Sequence, residues 1–208
     1  MRIAIIVEGK TEKAFKPVLH DFLRTRLAGK MPKLDVVPYD GRIPTGNKLK
    51  RVVERLLNDA KHPADAVIAL TDVYTGTQPP DFESADDAKK KMRDWVGEED
   101  RFHPHVALHD FEAWLLPYWD KIRALAGSNR AAPGADPEKV DHGNPPAHRL
   151  AEVYRTGSKT KSYVKPRDAG RILKDEDLMV AINACIELRA FINRILRLCG
   201  VTDEDLIS

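Results

Sequence analysis

Apolar positions in the first 120 residues follow two alternating spacings. Residues 2–7 read as a strand whose apolar, largely β-branched run from Ile3 to Val7 stops at Glu8-Gly9, the pattern of a parallel strand buried on both faces. Phe15, Val18, Leu19, Phe22 and Leu23 then recur at three-and-four spacing. That spacing predicts an amphipathic helix capped by Thr11, with Pro17 marking a kink or a late start. Residues 34–39 read as a second strand closed by Asp40-Gly41. Asn47 then heads a helix whose apolar face is Leu49, Val52, Val53, Leu56 and Leu57, and whose other face is Lys48, Lys50, Arg51 and Arg55. Residues 66–70 form a third buried strand ending in Thr71-Asp72, followed by a Gly/Pro-rich loop and a charged helix over 84–95. Residues 106–108 make a short fourth strand that runs into 111–116.

Strand and helix thus alternate about four times, which predicts an α/β fold with a mostly parallel four-stranded sheet and right-handed crossovers. The second half reads differently. Residues 131–146 are rich in Pro, Gly and Asp and predict a long loop, and helices are expected over 150–154, 169–173 and 178–198. The expected organisation is an α/β core over 1–120 and a loop and helical extension over 121–208 packing on it.

At 208 residues the chain suits one domain with an appended helical piece, and 42% hydrophobic with 32% charged residues is a soluble globular balance. No stretch approaches the roughly 18 apolar residues of a membrane span, and the N-terminal apolar run is too short for a signal peptide, so a cytoplasmic protein is expected. Cys185 and Cys199 alone build neither a disulfide framework nor a cysteine zinc site. The net charge is only +2, yet Arg155, Lys159, Lys161, Lys165, Arg167, Arg171 and Lys174 crowd into one segment, a candidate phosphate-binding surface.

In an open α/β sheet, ligands bind outside the carboxyl ends of the strands, and here those positions are acidic. Glu8 ends the first strand, Asp72 ends the third, Asp110 and Glu112 follow the fourth, and Glu12 lies one helical turn beyond Glu8. A single such acid is ordinarily a cap or a solvated side chain. Several at equivalent strand ends point to Mg²⁺ or Mn²⁺, because converging carboxylates raise one another's pKa until a cation intervenes. Glu8, Asp72 and Glu112 are therefore expected to face a common cleft.

Val7-Glu8-Gly9-Lys10-Thr11-Glu12 resembles the VEGxTE opening of TOPRIM-type domains, seen in OLD-family nucleases and in related topoisomerase and primase domains. Leu70-Thr71-Asp72-Val73-Tyr74 resembles the strand that carries the family's DxD motif, with Tyr74 in place of the second acid. A DxY-like segment followed by His109-Asp110-Phe111-Glu112-Ala113-Trp114 is similar to an uncharacterised TOPRIM-like family often encoded beside ABC- or OLD-type ATPases. Residues 145–149 and 163–170 resemble that family's later segments, so the resemblance covers most of the chain.

The resemblance implies a TOPRIM-like Rossmannoid fold and metal-dependent hydrolysis of phosphodiester bonds in nucleic acid, DNA favoured over RNA. It also implies a defence role beside an ABC/OLD-type ATPase partner. It makes Glu8, Glu12, Asp72, Asp110 and Glu112 the metal candidates and Glu8, Asp72, Glu112 and Lys165 the catalytic ones, Lys165 steadying the phosphate. Lys10, Lys159, Lys161, Lys165 and Arg167 are the nucleic-acid candidates. The alternative is a catalytically inactive module, lacking the second DxD acid, that binds nucleic acid or a partner ATPase.

Other motifs carry less. Gly9-Lys10-Thr11 ends like a P-loop, but the required upstream glycine is Ala4. His103, His105 and His109 do not share a face suited to zinc. Trp95, Trp114, Tyr118 and Trp119 offer base-stacking surfaces, with Trp114 and Leu115 reading rather as core. A receiver-like phosphoacceptor site needs paired acids after the first strand, which Glu8-Gly9 does not supply.

Overall fold

The computed structural model describes the chain apart from residues 28, 30, 75, 76, 135, 141, 142, 160 and 161 and the side chains of Lys10 and Lys13. Four strands, β1 (Arg2–Val7), β2 (Lys33–Pro38), β3 (Ala66–Asp72) and β4 (Phe102–Ala107), form one sheet in the order β2-β1-β3-β4. Every pairing is parallel. The α/β class and the four-stranded sheet flanked by helices read from the sequence are both present.

The central strands are apolar on both faces because each face is covered. Ile3, Ile5 and Val7 of β1 and Ile68 and Leu70 of β3 join one core with Phe15, Leu19 and Leu23 of α1 (Lys10–Arg26). Ala4, Ile6, Val67 and Ala69 point the other way, onto Leu49, Val53 and Leu57 of α2 (Gly46–Leu57) and Ala88, Met92 and Val96 of α3 (Ala85–Val96). The period-two alternation of a strand thus feeds two helical layers. Ser84 caps α3 by accepting a hydrogen bond from the Asp87 N–H at 3.1 Å.

The remaining helices extend the α1 layer. A 3-10 segment, Phe111–Tyr118, leads into α4 (Trp119–Ala126), α5 (Pro146–Thr156), α6 (Lys165–Leu173), α7 (Leu178–Ala184) and α8 (Ile186–Leu198). Trp114 packs against Phe111 at 5.3 Å, Phe15 at 5.9 Å and Phe191 at 6.0 Å between ring centroids, which ties these helices to the sheet through one aromatic cluster. Trp114, Tyr118 and Trp119 are therefore core. Among the described residues, no helix is long and apolar enough to cross a membrane.

Several boundaries differ from the sequence reading. The N-caps of α1 and α2 are Gly9 and Thr45, not Thr11 and Asn47, and Pro17 lies inside α1. β4 starts four residues earlier than expected, at Phe102; its His103-Pro104-His105 looks unlike a strand, but Pro is tolerated on an edge strand. The helix expected over 178–198 is two helices. Cys185 is extended between them, and the Glu138 carboxylate accepts the Glu187 N–H at 3.0 and 3.2 Å, capping α8 where α7 would otherwise have continued. His105 packs edge-on against Phe191 at 5.8 Å, and burial lowers His103 to about 4 and His105 to about 3, so both are neutral at pH 7.

Candidate functional site

Parallel pairing sends every strand's carboxyl end to the same edge of the sheet, and Asp72 on β3 lies opposite Ala107 on β4. Glu8 follows β1 and Glu112 lies in the first turn of the 3-10 segment after β4. Glu8, Glu12, Asp72, Glu112 and Lys165 line one cleft of about 300 Å³, together with the Asp40-Gly41 turn that leaves β2. The common cleft expected for Glu8, Asp72 and Glu112 is present. Asp110 does not line it; its Oδ2 accepts the Ala147 N–H at 3.1 Å, and its Oδ1 is buried with no hydrogen-bond partner.

Glu8, Asp72 and Glu112 are held by different donors. Glu8 Oε1 accepts the Asp72 N–H at 3.0 Å and the Thr71 hydroxyl. Asp72 Oδ1 accepts the Phe111 N–H at 3.0 Å. Glu112 takes the Tyr163 hydroxyl on Oε1 at 3.3 Å and the Lys165 Nζ on Oε2 at 3.2 Å.

These donors do not offset the accumulated negative charge. Burial pushes Glu8 up to about 7 against its hydrogen bonds from Thr71 and Asp72, and the Glu12 charge adds to the rise. Asp72 is raised well above the usual carboxylate range by burial and then by Glu8, Asp110, Glu12 and Glu112. Glu12 is raised by burial, with the Glu112 charge adding, and Asp110 reaches about 7 through burial and Glu112. Burial alone would lower Lys165, but Glu112, Asp110 and Asp72 outweigh it and raise it.

The sequence reading also made these acids candidate ligands of Mg²⁺ or Mn²⁺. Among the described residues, however, no three His, Cys, Asp or Glu side chains form a ligand set as they stand. Four of the acids are instead tied to protein donors, Glu8 to the Asp72 N–H, Asp72 to the Phe111 N–H, Asp110 to the Ala147 N–H and Glu112 to the Tyr163 hydroxyl. A hard cation such as Mg²⁺ needs only one or two carboxylates and keeps several waters, and an all-oxygen, mutually repelling set fits that demand.

A family model described as "Domain of unknown function (DUF4276)" matches residues 7–196. The chain belongs to the DUF4276 family. Among solved structures, this DUF4276 chain is similar to the C-terminal region of the Burkholderia pseudomallei OLD protein. The TM-score is 0.53 at 14% identity, over 95% of this chain and 98% of that one, a likeness of fold. No curated protein matches.

The basic run of the DUF4276 chain is divided by its own structure. Lys165 enters the cleft as the first residue of α6. Arg167 pairs instead with Asp168, through Nε at 2.9 Å and Nη2 at 2.7 Å, and Arg171 adds a contact at 3.4 Å. Burial would raise Asp168, but these arginines and the Val164 N–H, at 2.7 Å, hold it below its ordinary value. Asp168 thereby fixes the start of α6 and with it the base of Lys165. Lys159 donates to the Ala124 carbonyl at 3.3 Å, outside the cleft lining. Lys161 and the Lys10 side chain lie outside the described residues.

Thr71, Tyr163 and Arg42 were not singled out as site residues from the sequence. Thr71 and Tyr163 bond cleft carboxylates, and the Arg42 charge partly offsets the rise of Glu8 while its guanidinium bonds Thr77 at 3.0 Å and Asp81. Thr71 precedes the strand-end acid and Tyr163 opens the 163–170 segment, whereas no sequence signal marks Arg42. Tyr74 donates its N–H to the His109 carbonyl at 2.7 Å and sets its ring edge-on to His148 at 6.3 Å.

Proposed function

We propose that this chain is a TOPRIM-like, divalent-metal-dependent phosphodiesterase acting on nucleic acid, DNA in preference to RNA. The observation that carries the reading is the cleft itself: largely buried carboxylates at and just beyond the ends of three parallel strands, repelling one another, with Lys165 among them. Glu8 and Asp72 are the residues that would hold Mg²⁺ or Mn²⁺, with Glu12 and Glu112 in support. A bound divalent cation would neutralise phosphate charge and activate water.

Lys165, half-exposed and tethered to Glu112, would donate to a phosphate oxygen from the cleft wall. Tyr163 keeps Glu112 oriented when that lysine turns to substrate. The fold shared with the OLD region supports a nuclease-type module, and a defence role beside an ABC/OLD-type ATPase is part of the proposal.

A second reading, a catalytically inactive module that binds nucleic acid or an ATPase, is favoured by Tyr74 at the second DxD position and by the separate tethering of the acids. A cleavage assay on single- and double-stranded DNA and on RNA, in Mg²⁺, Mn²⁺ or EDTA, decides between them. Metal-dependent cleavage lost in Asp72→Asn supports the enzyme; no cleavage in either metal, alone or with an ATPase encoded beside it, leaves the binding module.

A further inference from the structure

Four cations crowd onto the single helix α2. Lys48, Lys50, Arg51 and Arg55 are all exposed, and none makes an ion pair among the described residues. In the run over 155–174, Lys165, Arg167 and Arg171 are each bound to an acid of the same fold, while the exposed Arg155, Lys159 and Lys174 make no ion pair among the described residues. α2 carries a single acid, Glu54, and none in its first turn, so its positive N-terminal end is not offset by a side chain of the helix.

The position of α2 follows from the sheet. The Asp40-Gly41 turn lines the cleft, with the Gly41 N–H bonded to the Glu8 carbonyl at 3.1 Å, and the chain enters α2 at Gly46. The helix therefore runs outward from the cleft lip. Its buried face, Leu49, Val53 and Leu57, is locked into the core, which fixes the opposite face in the solvent. Lys48, Arg51 and Arg55 fall at i, i+3 and i+7, a stripe of about 10 Å that matches about three phosphates of one strand at its axial rise.

We propose that the α2 stripe Lys48, Arg51 and Arg55 is the surface on which a nucleic-acid backbone lies as it enters the cleft. This rests on the phosphodiesterase reading and adds to it the path of the strand. An exposed basic face is commonly only solvated; here the cations make no ion pair among the described residues, share a stripe and begin at the lip of the cleft. Charge complementarity makes a polyanionic backbone the occupant.

The test measures binding of short labelled DNA, single-stranded and duplex, to the full chain in EDTA across about 50 to 200 mM salt. The variant Lys48→Gln/Arg51→Gln/Arg55→Gln keeps helix-forming side chains on an exposed face, and circular dichroism confirms its fold. An equal-charge control, Lys33→Gln/Lys139→Gln/Arg197→Gln, removes cations that are paired elsewhere. The stripe variant is expected to bind at least tenfold more weakly at low salt. Its slope of log K against log salt should be shallower by about 2 to 2.7, while the control stays within twofold of the parent. Equal weakening in both variants, or none in the stripe variant, overturns the proposal. Metal-dependent cleavage by the parent in that case leaves the enzyme reading standing. A parent that neither binds nor cleaves DNA or RNA overturns both.

Discussion

Replacing Glu8 with Gln should make the metal-free protein more stable at pH 8. Glu8 sits at about 7 in the folded chain against an ordinary 4.5, so the folded state binds its proton more tightly than the unfolded state does. Its contribution is therefore favourable at low pH and is lost as pH rises from about 4.5 through about 7, amounting to about 3 kcal/mol of destabilisation above that window. Gln keeps the shape and keeps an Oε1 to accept the Thr71 hydroxyl and Asp72 N–H, but carries no charge to desolvate. Urea unfolding in EDTA should show E8Q more stable by about 2 to 3 kcal/mol at pH 8, or about 5–10 °C in Tm for a chain of this size, and close to the parent at pH 4.5. A destabilised E8Q at pH 8, or the same change at both pH values, would refute the reasoning, since only relief of charge disappears on acidification.

Asp168→Ala should cost about 3 kcal/mol, because it leaves the Val164 N–H without its acceptor and Arg167 without its partner; unfolding midpoints unchanged from the parent would contradict the role given to it. Glu138→Ala should cost about 1–2 kcal/mol by uncapping α8, with hydrogen exchange rising at residues 186–189 before the rest of the helix. Protection unchanged at those amides would mean that something other than Glu138 ends α7.

The strands that build the site were legible because β1 and β3 are buried on both faces, and the strand-end acids were legible because a parallel sheet collects all carboxyl ends on one edge. The division of α7 from α8 was not, since the carboxylate that caps α8 comes from Glu138, 49 residues away in an apparently featureless loop. The tethering of the acids was hidden for the same reason: the Ala147 N–H and Tyr163 hydroxyl that bond Asp110 and Glu112 belong to remote segments. The basic run looked like a binding surface because its internal acid, Asp168, is one residue among many cations, and only the fold shows it consuming two of them.

The central claim is that mutually repelling carboxylates at the sheet edge take a divalent cation. Calorimetric titration of Mn²⁺ into the parent, E8Q and Asp72→Asn at pH 8, with a thermal melt at each end point, tests it most directly. The account predicts binding by the parent with a rise in Tm, and at least tenfold weaker binding with no rise in either variant. Equal affinity in the parent and both variants, or no heat and no change in Tm for the parent, would contradict it.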